Sequence, residues 1–267
     1  MANRPPATLP LIWPDPEPRA MTGVVELGLA DALAGAGTRP ERAGAVISAM
    51  FGSLAGQPVT GDLLRSLSTG TRAWLLAKAA AVTGRETGWF QAECQSCGAP
   101  FDIALRLADI PRGDPGDGFP VVTVPTSLGP RAFEVPNGWH EETLARNPGP
   151  DPRRRLVALL NLADTADRDA QNFSDVDLVA IETALDENAP DIGDRITATC
   201  PACSAETSAV IDPLAFALPR SETILRETHL IARAYGWREA AILSLPSQRR
   251  QAYARLIAAE ARTGGVR

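Results

Sequence analysis

The sequence predicts an α+β protein that is mostly helical, with small antiparallel β-hairpins around two Cys-x-x-Cys pairs. Apolar residues recur at helical spacing over residues 22–86, 139–190 and 221–262. Period-two alternation, typical of half-buried strands, is confined to short stretches next to the cysteines and to residues 121–135. All four cysteines of the 267-residue chain belong to the two pairs.

The composition limits the classes of function. The formal net charge is −6, so no overall positive field attracts nucleic acid. No apolar run approaches the ~20 residues of a membrane span, and the first residues lack the charged-then-apolar pattern of a signal peptide. We therefore expect a soluble protein made in the cytoplasm, folded as one large domain or two small ones.

Residues 1–20 predict a disordered, proline-rich tail. Proline disfavours regular structure, and this segment contains six prolines: Pro5, Pro6, Pro10, Pro14, Pro16 and Pro18. An apolar cluster, residues 9–13, interrupts them. This cluster is either a docking segment for a partner or a cover for the protein's own core, and the sequence leaves both open.

Residues 21–87 predict an N-terminal helical region of four helices. The first covers residues 26–34 and ends at Gly35 and Gly37. Thr38 and Glu41 form a capping box around Pro40, which opens a second helix reaching residue 54. Thr60 caps a third helix through residue 67. The fourth runs from about residue 71 to a stop at Gly84.

Residues 88–220 predict a core with a β-hairpin and a helical insertion. Strands are expected at 89–94, 101–107, 121–124 and 131–135, and residues 195–211 are expected to supply the second knuckle and its flanking strands. Asp151 and Ser174 each open a helix, and residues 164–173 are expected to be a polar connector. Asp212 starts a short helix that includes Phe216 and Leu218. Residues 221–267 predict a C-terminal helical region in which Ser221 caps a helix, Gly236 ends it, and a last helix covers residues 247–262.

The cysteines Cys94, Cys97, Cys200 and Cys203 predict a structural zinc site, one per chain. A Cys-x-x-Cys turn directs two thiolates at one point, and two such turns complete a tetrahedral shell. Each pair lies between predicted strands, which is the strand–knuckle–strand plan of a zinc ribbon. Single-module ribbons separate their pairs by about 15–20 residues, whereas roughly a hundred intervene here. A redox site, two disulfides and inert buried thiols stay open as alternatives.

The remaining candidate residues indicate no catalysis. The chain has neither a phosphate-binding loop nor a nucleophile elbow. His229 is expected to be partly buried on a helix, and His140 follows a turn. Asp164, Asp167 and Asp169 are expected in a solvated loop rather than a calcium site. Two basic clusters, residues 153–155 and 249–250, are either exposed helix faces or docking sites for an acidic partner.

The stretch from Glu227 to Pro246 resembles baseplate hub proteins of contractile tails. In those proteins a helix ends in Tyr-Gly-Trp, as at residues 235–237, and continues through Glu and Ile-Leu, as at residues 239–243. It then reaches Leu-Pro and an Arg-Arg-x-x-Tyr segment, as at residues 245–253. A cysteine pair followed by Asp-Pro, as at residues 200–213, commonly precedes it. The chain is thus similar to the hub assembly chaperones of T-even-type phages and of phage-like injection systems.

The resemblance implies a non-enzymatic structural or assembly protein of the baseplate hub, with other hub or spike proteins as partners. It implies a bacterial cytoplasmic location during assembly and leaves incorporation into the particle open. A partner surface is expected at Tyr235, Trp237, Arg249, Arg250 and Tyr253, although simple helix packing also explains these residues. Two rival functions are a zinc-ribbon adaptor that binds nucleic acid or a protein complex, and a thiol oxidoreductase. Neither membrane nor nucleic acid is an expected partner.

Overall fold

The structure, a computed structural model, describes residues 7–33, 37–82, 87–193, 195–217 and 221–264. It combines helices with small antiparallel sheets, as the sequence predicts. Several predicted features lie outside the described residues, namely Pro5 and Pro6, the helix stops at Gly35 and Gly84, and Leu218.

The N-terminal segment is ordered, so the prediction of a disordered tail is wrong for residues 7–20. Strand β1 (Pro16–Pro18) pairs with residues 51–54. Leu9, Leu11 and Trp13 pack against the buried side chains of the N-terminal helices. The segment therefore covers the protein's own core. The apolar area that it buries there offsets the conformational entropy lost when it becomes ordered.

Four helices and a hairpin form the N-terminal region. The helices α1 (Gly23–Leu33) and α2 (Arg39–Met50) come first, followed by the strands β2 (Phe51–Leu54) and β3 (Gln57–Pro58). Helices α3 (Gly61–Ser66) and α4 (Thr69–Val82) complete the region.

The second helix ends at Met50, four residues before the predicted end. Phe51 and Leu54 are fully buried, as the helix prediction assumed, but they lie on strand β2. Ala55 and Gly56 both have positive φ and turn the chain back into β3. The hairpin then offers β1 an edge for pairing, a long-range contact that the local pattern does not encode.

Two further hairpins follow, with a short strand between them. Strands β4 (Thr87–Glu93) and β5 (Pro100–Arg106) pair around the first cysteine pair. Strand β6 (Arg112–Gly113) precedes the predicted hairpin of β7 (Val121–Thr126) and β8 (Gly129–Glu134).

The middle of the chain is helical: α5 (Gly138–Arg146), α6 (Pro152–Leu160), α7 (Ala166–Asn172) and α8 (Asp175–Asn188). The predicted polar connector is wrong, because residues 166–172 form α7. Asp169 is buried there and not solvated. Its carboxylate accepts hydrogen bonds from Arg131 (2.7 Å) and Thr165 (2.8 Å), and the pKa of Asp169 is lowered by the Arg131 bond first. Ala170 and Phe173 anchor α7 in the apolar cluster between α6, α8 and the hairpin.

The second half of the chain returns to the first. Strand β9 (Asp191–Ile192) pairs with β6, and β10 (Arg195–Thr199) pairs with β11 (Glu206–Val210) around the second cysteine pair. Helix α9 (Pro213–Ala217) packs against α4. The last helices are α10 (Ser221–Tyr235), α11 (Glu239–Leu243) and α12 (Ser247–Gly264), and α10 packs against α12 and α1.

Arg250 lies in the interior between α1, α10 and α12, so its predicted exposure and its place in a partner surface are both wrong. Its side chain is 1% exposed and pairs with Glu26, which is 0% exposed. Its Nε donates to Glu227 Oε2 at 2.8 Å. Burial of a charge requires paired, hydrogen-bonded partners, and two carboxylates supply them.

Candidate metal centre

The four cysteines meet in space although the two pairs lie far apart in the chain. Their Sγ atoms all lie within 4.8 Å of one another. Two of the separations run between the pairs: 3.7 Å from Cys94 to Cys203 and 3.8 Å from Cys97 to Cys200. A tetrahedral zinc ion with Zn–S bonds of about 2.3 Å places its sulfur atoms about 3.8 Å apart. The thiol cluster therefore has the dimensions of a four-sulfur metal site.

The two knuckles that present these thiols share one backbone design. In each, the first cysteine N–H donates to the carbonyl five residues on, and the residue after the second cysteine donates back to the first cysteine's carbonyl. These four bonds are Cys94 to Ala99 (3.0 Å), Gly98 to Cys94 (2.8 Å), Cys200 to Ala205 (2.9 Å) and Ser204 to Cys200 (2.9 Å). Gly98 (φ 70°) and Ser204 (φ 61°) both adopt the left-handed conformation. Glycine adopts the left-handed conformation without strain, whereas the Cβ atom of serine makes that conformation sterically unfavourable.

The alternatives left open by the sequence fit this geometry less well. A disulfide requires sulfur atoms about 2.0 Å apart, and all four cysteines are free thiols. Each knuckle connects two strands and does not open a helix, so neither has the placement expected of a redox Cys-x-x-Cys. Cys94 and Cys200 are buried while Cys97 and Cys203 are exposed, so the cluster lies at the surface.

The pKa values of the two cysteines in the first knuckle are shifted in opposite directions. Backbone N–H groups of Cys97 and Ser96 donate to the Cys94 sulfur and lower its pKa to about 7. The Ala99 N–H also lowers the pKa of Cys97, but the neighbouring Cys203 thiol and burial outweigh it and raise that pKa to about 12. Four thiolates at this spacing repel one another, so complete deprotonation requires a bound metal ion, which needs thiolate ligands.

Protein contacts hold the two hairpins together beside the thiols. The Gln95 N–H donates to Thr207 Oγ1 at 3.0 Å, and the Gln95 side-chain amide donates to the Ser208 carbonyl at 3.2 Å. Beneath them, Leu107 and Ile211 are buried with α4 in a small apolar cluster. Gln95 and Thr207 position the site, and the sequence analysis missed both because no local pattern marks a contact across such a distance.

The histidines take no part in the thiol cluster. His140 is 1% exposed and caps α5: its Nδ1 accepts from the Asn137 N–H at 3.2 Å. Burial lowers its pKa to about 4, so it is neutral at pH 7. His229 is exposed on α10, so its predicted partial burial is wrong.

The aromatic residues of the C-terminal stretch form one cluster on the surface. Ring centroids are 5.4 Å apart for Tyr235 and Trp237, 5.9 Å for Tyr235 and Tyr253, and 5.2 Å for Trp237 and Tyr253. Tyr235 and Trp237 remain 42% and 38% exposed. The Arg249 guanidinium lies 5.8 Å from the Tyr253 ring centroid. The structure thus brings together four of the five predicted partner residues and places Arg250 in the core.

Comparison of the chain with protein-family models, curated proteins and solved structures finds no match. Within the described residues, no helix has both the length and the apolar character needed to cross a membrane.

Proposed function

We propose that this protein is a non-enzymatic structural or assembly component of the baseplate hub of a contractile phage-like tail or injection system. In this proposal a structural zinc ion, held by a zinc-ribbon-like pair of knuckles, keeps the two halves of the chain in one rigid body. The C-terminal helices then present a docking surface to other hub or spike proteins.

The choice of zinc follows from the chemistry of the four ligands. Four thiolates in tetrahedral arrangement favour zinc or an iron centre over the oxygen-preferring Mg²⁺ and Ca²⁺. Cys94, Cys97, Cys200 and Cys203 would fill all four positions and leave none for water or substrate, which is the arrangement of a structural site. Bound zinc would supply no catalysis here and would add folding free energy.

The observation that carries the proposed role is the exposed cluster of Tyr235, Trp237 and Tyr253. These rings belong to the stretch by which the sequence resembles hub proteins, yet two of them remain more than one third exposed. Tyrosine, tryptophan and arginine are the residues most often found at binding hot spots. Their surface position supports a contact with a partner rather than helix packing alone.

Co-expression with tail proteins tests this role. The tagged chain is expressed with the sheath, tube, hub and spike proteins of a contractile tail, and the complexes are purified. We expect a hub or spike protein to co-purify, and Trp237→Ala to weaken that contact. Trp89→Ala is the matched control, because Trp89 is exposed on a different element. A chain that binds none of these proteins would contradict the proposal. Binding to duplex DNA with strong salt dependence would also contradict it and would support the adaptor alternative.

A further inference from the structure

The four cysteines of the cluster differ in their access to solvent. Cys97 and Cys203 are exposed, whereas Cys94 is 2% exposed and Cys200 is 0% exposed. Each knuckle therefore presents its second cysteine at the surface and keeps its first cysteine in the interior. Cysteines that respond to oxidants are accessible thiolates that lie next to a second, resolving cysteine. Cys97 and Cys203 meet the first condition, because a cysteine binds a metal ion as its thiolate.

Each exposed cysteine also has a buried partner in the opposite knuckle. The sulfur atoms of Cys97 and Cys200 are 3.8 Å apart, and those of Cys203 and Cys94 are 3.7 Å apart. A disulfide bond is about 2.0 Å long, so each pair would have to close by roughly 1.7 Å. Side-chain rotation supplies a displacement of that size. The second condition, a resolving cysteine within reach, is therefore met at both exposed positions.

Contacts that involve no sulfur keep the two knuckles facing each other. The Gln95 N–H donates to Thr207 Oγ1 at 3.0 Å, and its side-chain amide donates to the Ser208 carbonyl at 3.2 Å. Leu107 and Ile211 are buried together beneath them. These contacts persist when the metal ion leaves, so the thiols of opposite knuckles stay within reach of each other.

We propose that Cys97 and Cys203 are sites of reversible oxidation by a peroxide, which converts the metal site into two disulfides, Cys97–Cys200 and Cys94–Cys203. The proposal rests on the structural zinc ion of the proposed function and adds a second state, in which the halves of the chain are joined without metal. Each disulfide connects residues more than one hundred positions apart. It therefore closes a long loop, which restricts the unfolded chain and stabilises the folded one.

The oxidation is balanced with hydrogen peroxide as the electron acceptor. The Cys97 thiolate attacks one peroxide oxygen: the S–O bond forms, the O–O bond breaks, and hydroxide leaves with the electron pair. The Cys200 thiolate then attacks the sulfur of this sulfenic acid, so that the S–S bond forms, the S–O bond breaks and a second hydroxide leaves. Two solvent protons convert both hydroxides to water. The same steps at Cys203 and Cys94 consume a second peroxide and leave no thiolate to hold the ion.

Peroxide treatment of the zinc-loaded full chain tests the proposal. A chromogenic chelator reports zinc release, thiol titration follows oxidation, and mass spectrometry of unreduced peptides identifies the disulfides. We expect the loss of one zinc ion and four thiols per chain, and recovery of both with a phosphine reductant and added zinc. Dimedone, which traps sulfenic acids, should label Cys97 and Cys203 and not Cys94 or Cys200. Because a bound ion competes with oxidants for the electron pairs of sulfur, the thiols should withstand brief titration and react with peroxide in sustained excess.

Two matched variants separate the possible pairings. Cys203→Ser leaves Cys97 free to bond either to Cys200 across the knuckles or to Cys94 within its own knuckle, and we expect the Cys97–Cys200 disulfide. Cys97→Ser is the corresponding change in the first knuckle and should give Cys94–Cys203. The readout is the disulfide itself, so neither variant has to retain zinc, and circular dichroism checks that both fold.

Three results would overturn the proposal: zinc-loaded protein that keeps its zinc and thiols in peroxide, first oxidation at Cys94 or Cys200, or disulfides within one knuckle or between two copies. A chain that takes up no zinc before any oxidant is added would instead contradict the zinc site of the proposed function, and the proposal with it. Failure of the oxidation in zinc-loaded protein leaves that site and the role in tail assembly untouched. The two failures are therefore distinguishable.

Discussion

Replacement of Arg250 tests the interior ion-pair cluster that joins α12 to α1 and α10. Arg250→Ala removes a guanidinium that is 1% exposed from its ion pair with Glu26, which is 0% exposed. It also removes the 2.8 Å bond to Glu227. Loss of one partner of a buried ion pair typically costs 3–5 kcal/mol, so we expect the free energy of unfolding to fall by roughly 3–5 kcal/mol.

Arg249 provides a matched control on the neighbouring position of the same helix. Its side chain is exposed and contacts the Tyr253 ring and hydroxyl. Exposed cation–π contacts contribute about 0.5–1 kcal/mol, so Arg249→Ala should lower the free energy of unfolding by no more than about 1 kcal/mol.

Urea unfolding, followed by circular dichroism, measures both variants. The midpoint should fall strongly for Arg250→Ala and little for Arg249→Ala, with similar slopes against urea. If Arg250→Ala does not fold, Glu26→Gln, which keeps the side-chain shape, serves as the milder variant. Equal small losses for Arg249→Ala and Arg250→Ala would refute the buried position of Arg250 and restore its predicted place at the surface.

Three further predictions concern local features. Gly98→Ala places a side chain at φ 70° in the first knuckle and should lower the free energy of unfolding by about 1–2 kcal/mol. The control Gly28→Ala, which has open space around it in α1, should not lower it. Thermal unfolding of the two variants compares their stability. His140 has a folded-state pKa of about 4 instead of 6.5, so the unfolded state binds the extra proton and stability falls as pH drops from 6.5 to 4. His140→Gln should remove roughly 3 kcal/mol of that pH dependence, and an unchanged pH profile of unfolding would contradict it. Asp177 accepts four hydrogen bonds from Ser127 and Ser174, which lower its pKa. Asp177→Asn should therefore destabilise the protein at neutral pH, with a smaller difference as the acid pH protonates the native carboxylate.

Local signals in the sequence predicted the knuckles, their flanking strands, the central hairpin and most helix starts. Ser174 and Thr60, for example, accept hydrogen bonds from the first-turn N–H groups of α8 and α3 as predicted. These features depend on residues a few positions apart, which is the range over which capping and alternation act.

The missed features depend on contacts between distant segments. Strand β1 forms because residues 51–54 offer it an edge, and α7 forms because Phe173 and Arg131 hold it from outside. The local sequence predicts that Arg250 is exposed, because its buried partner Glu26 lies more than two hundred positions earlier in the chain.

Metal content and thiol reactivity, measured together, test the central claim that one metal ion joins the two halves of the chain. The protein is purified without chelator, its metal is determined by elemental analysis, and its thiols are titrated before and after denaturation. We predict one zinc ion per chain and four thiols, Cys94, Cys97, Cys200 and Cys203, that react only after unfolding. Metal-free protein with four freely reactive thiols would contradict the shared site, and the proposed role would then rest on the C-terminal stretch alone.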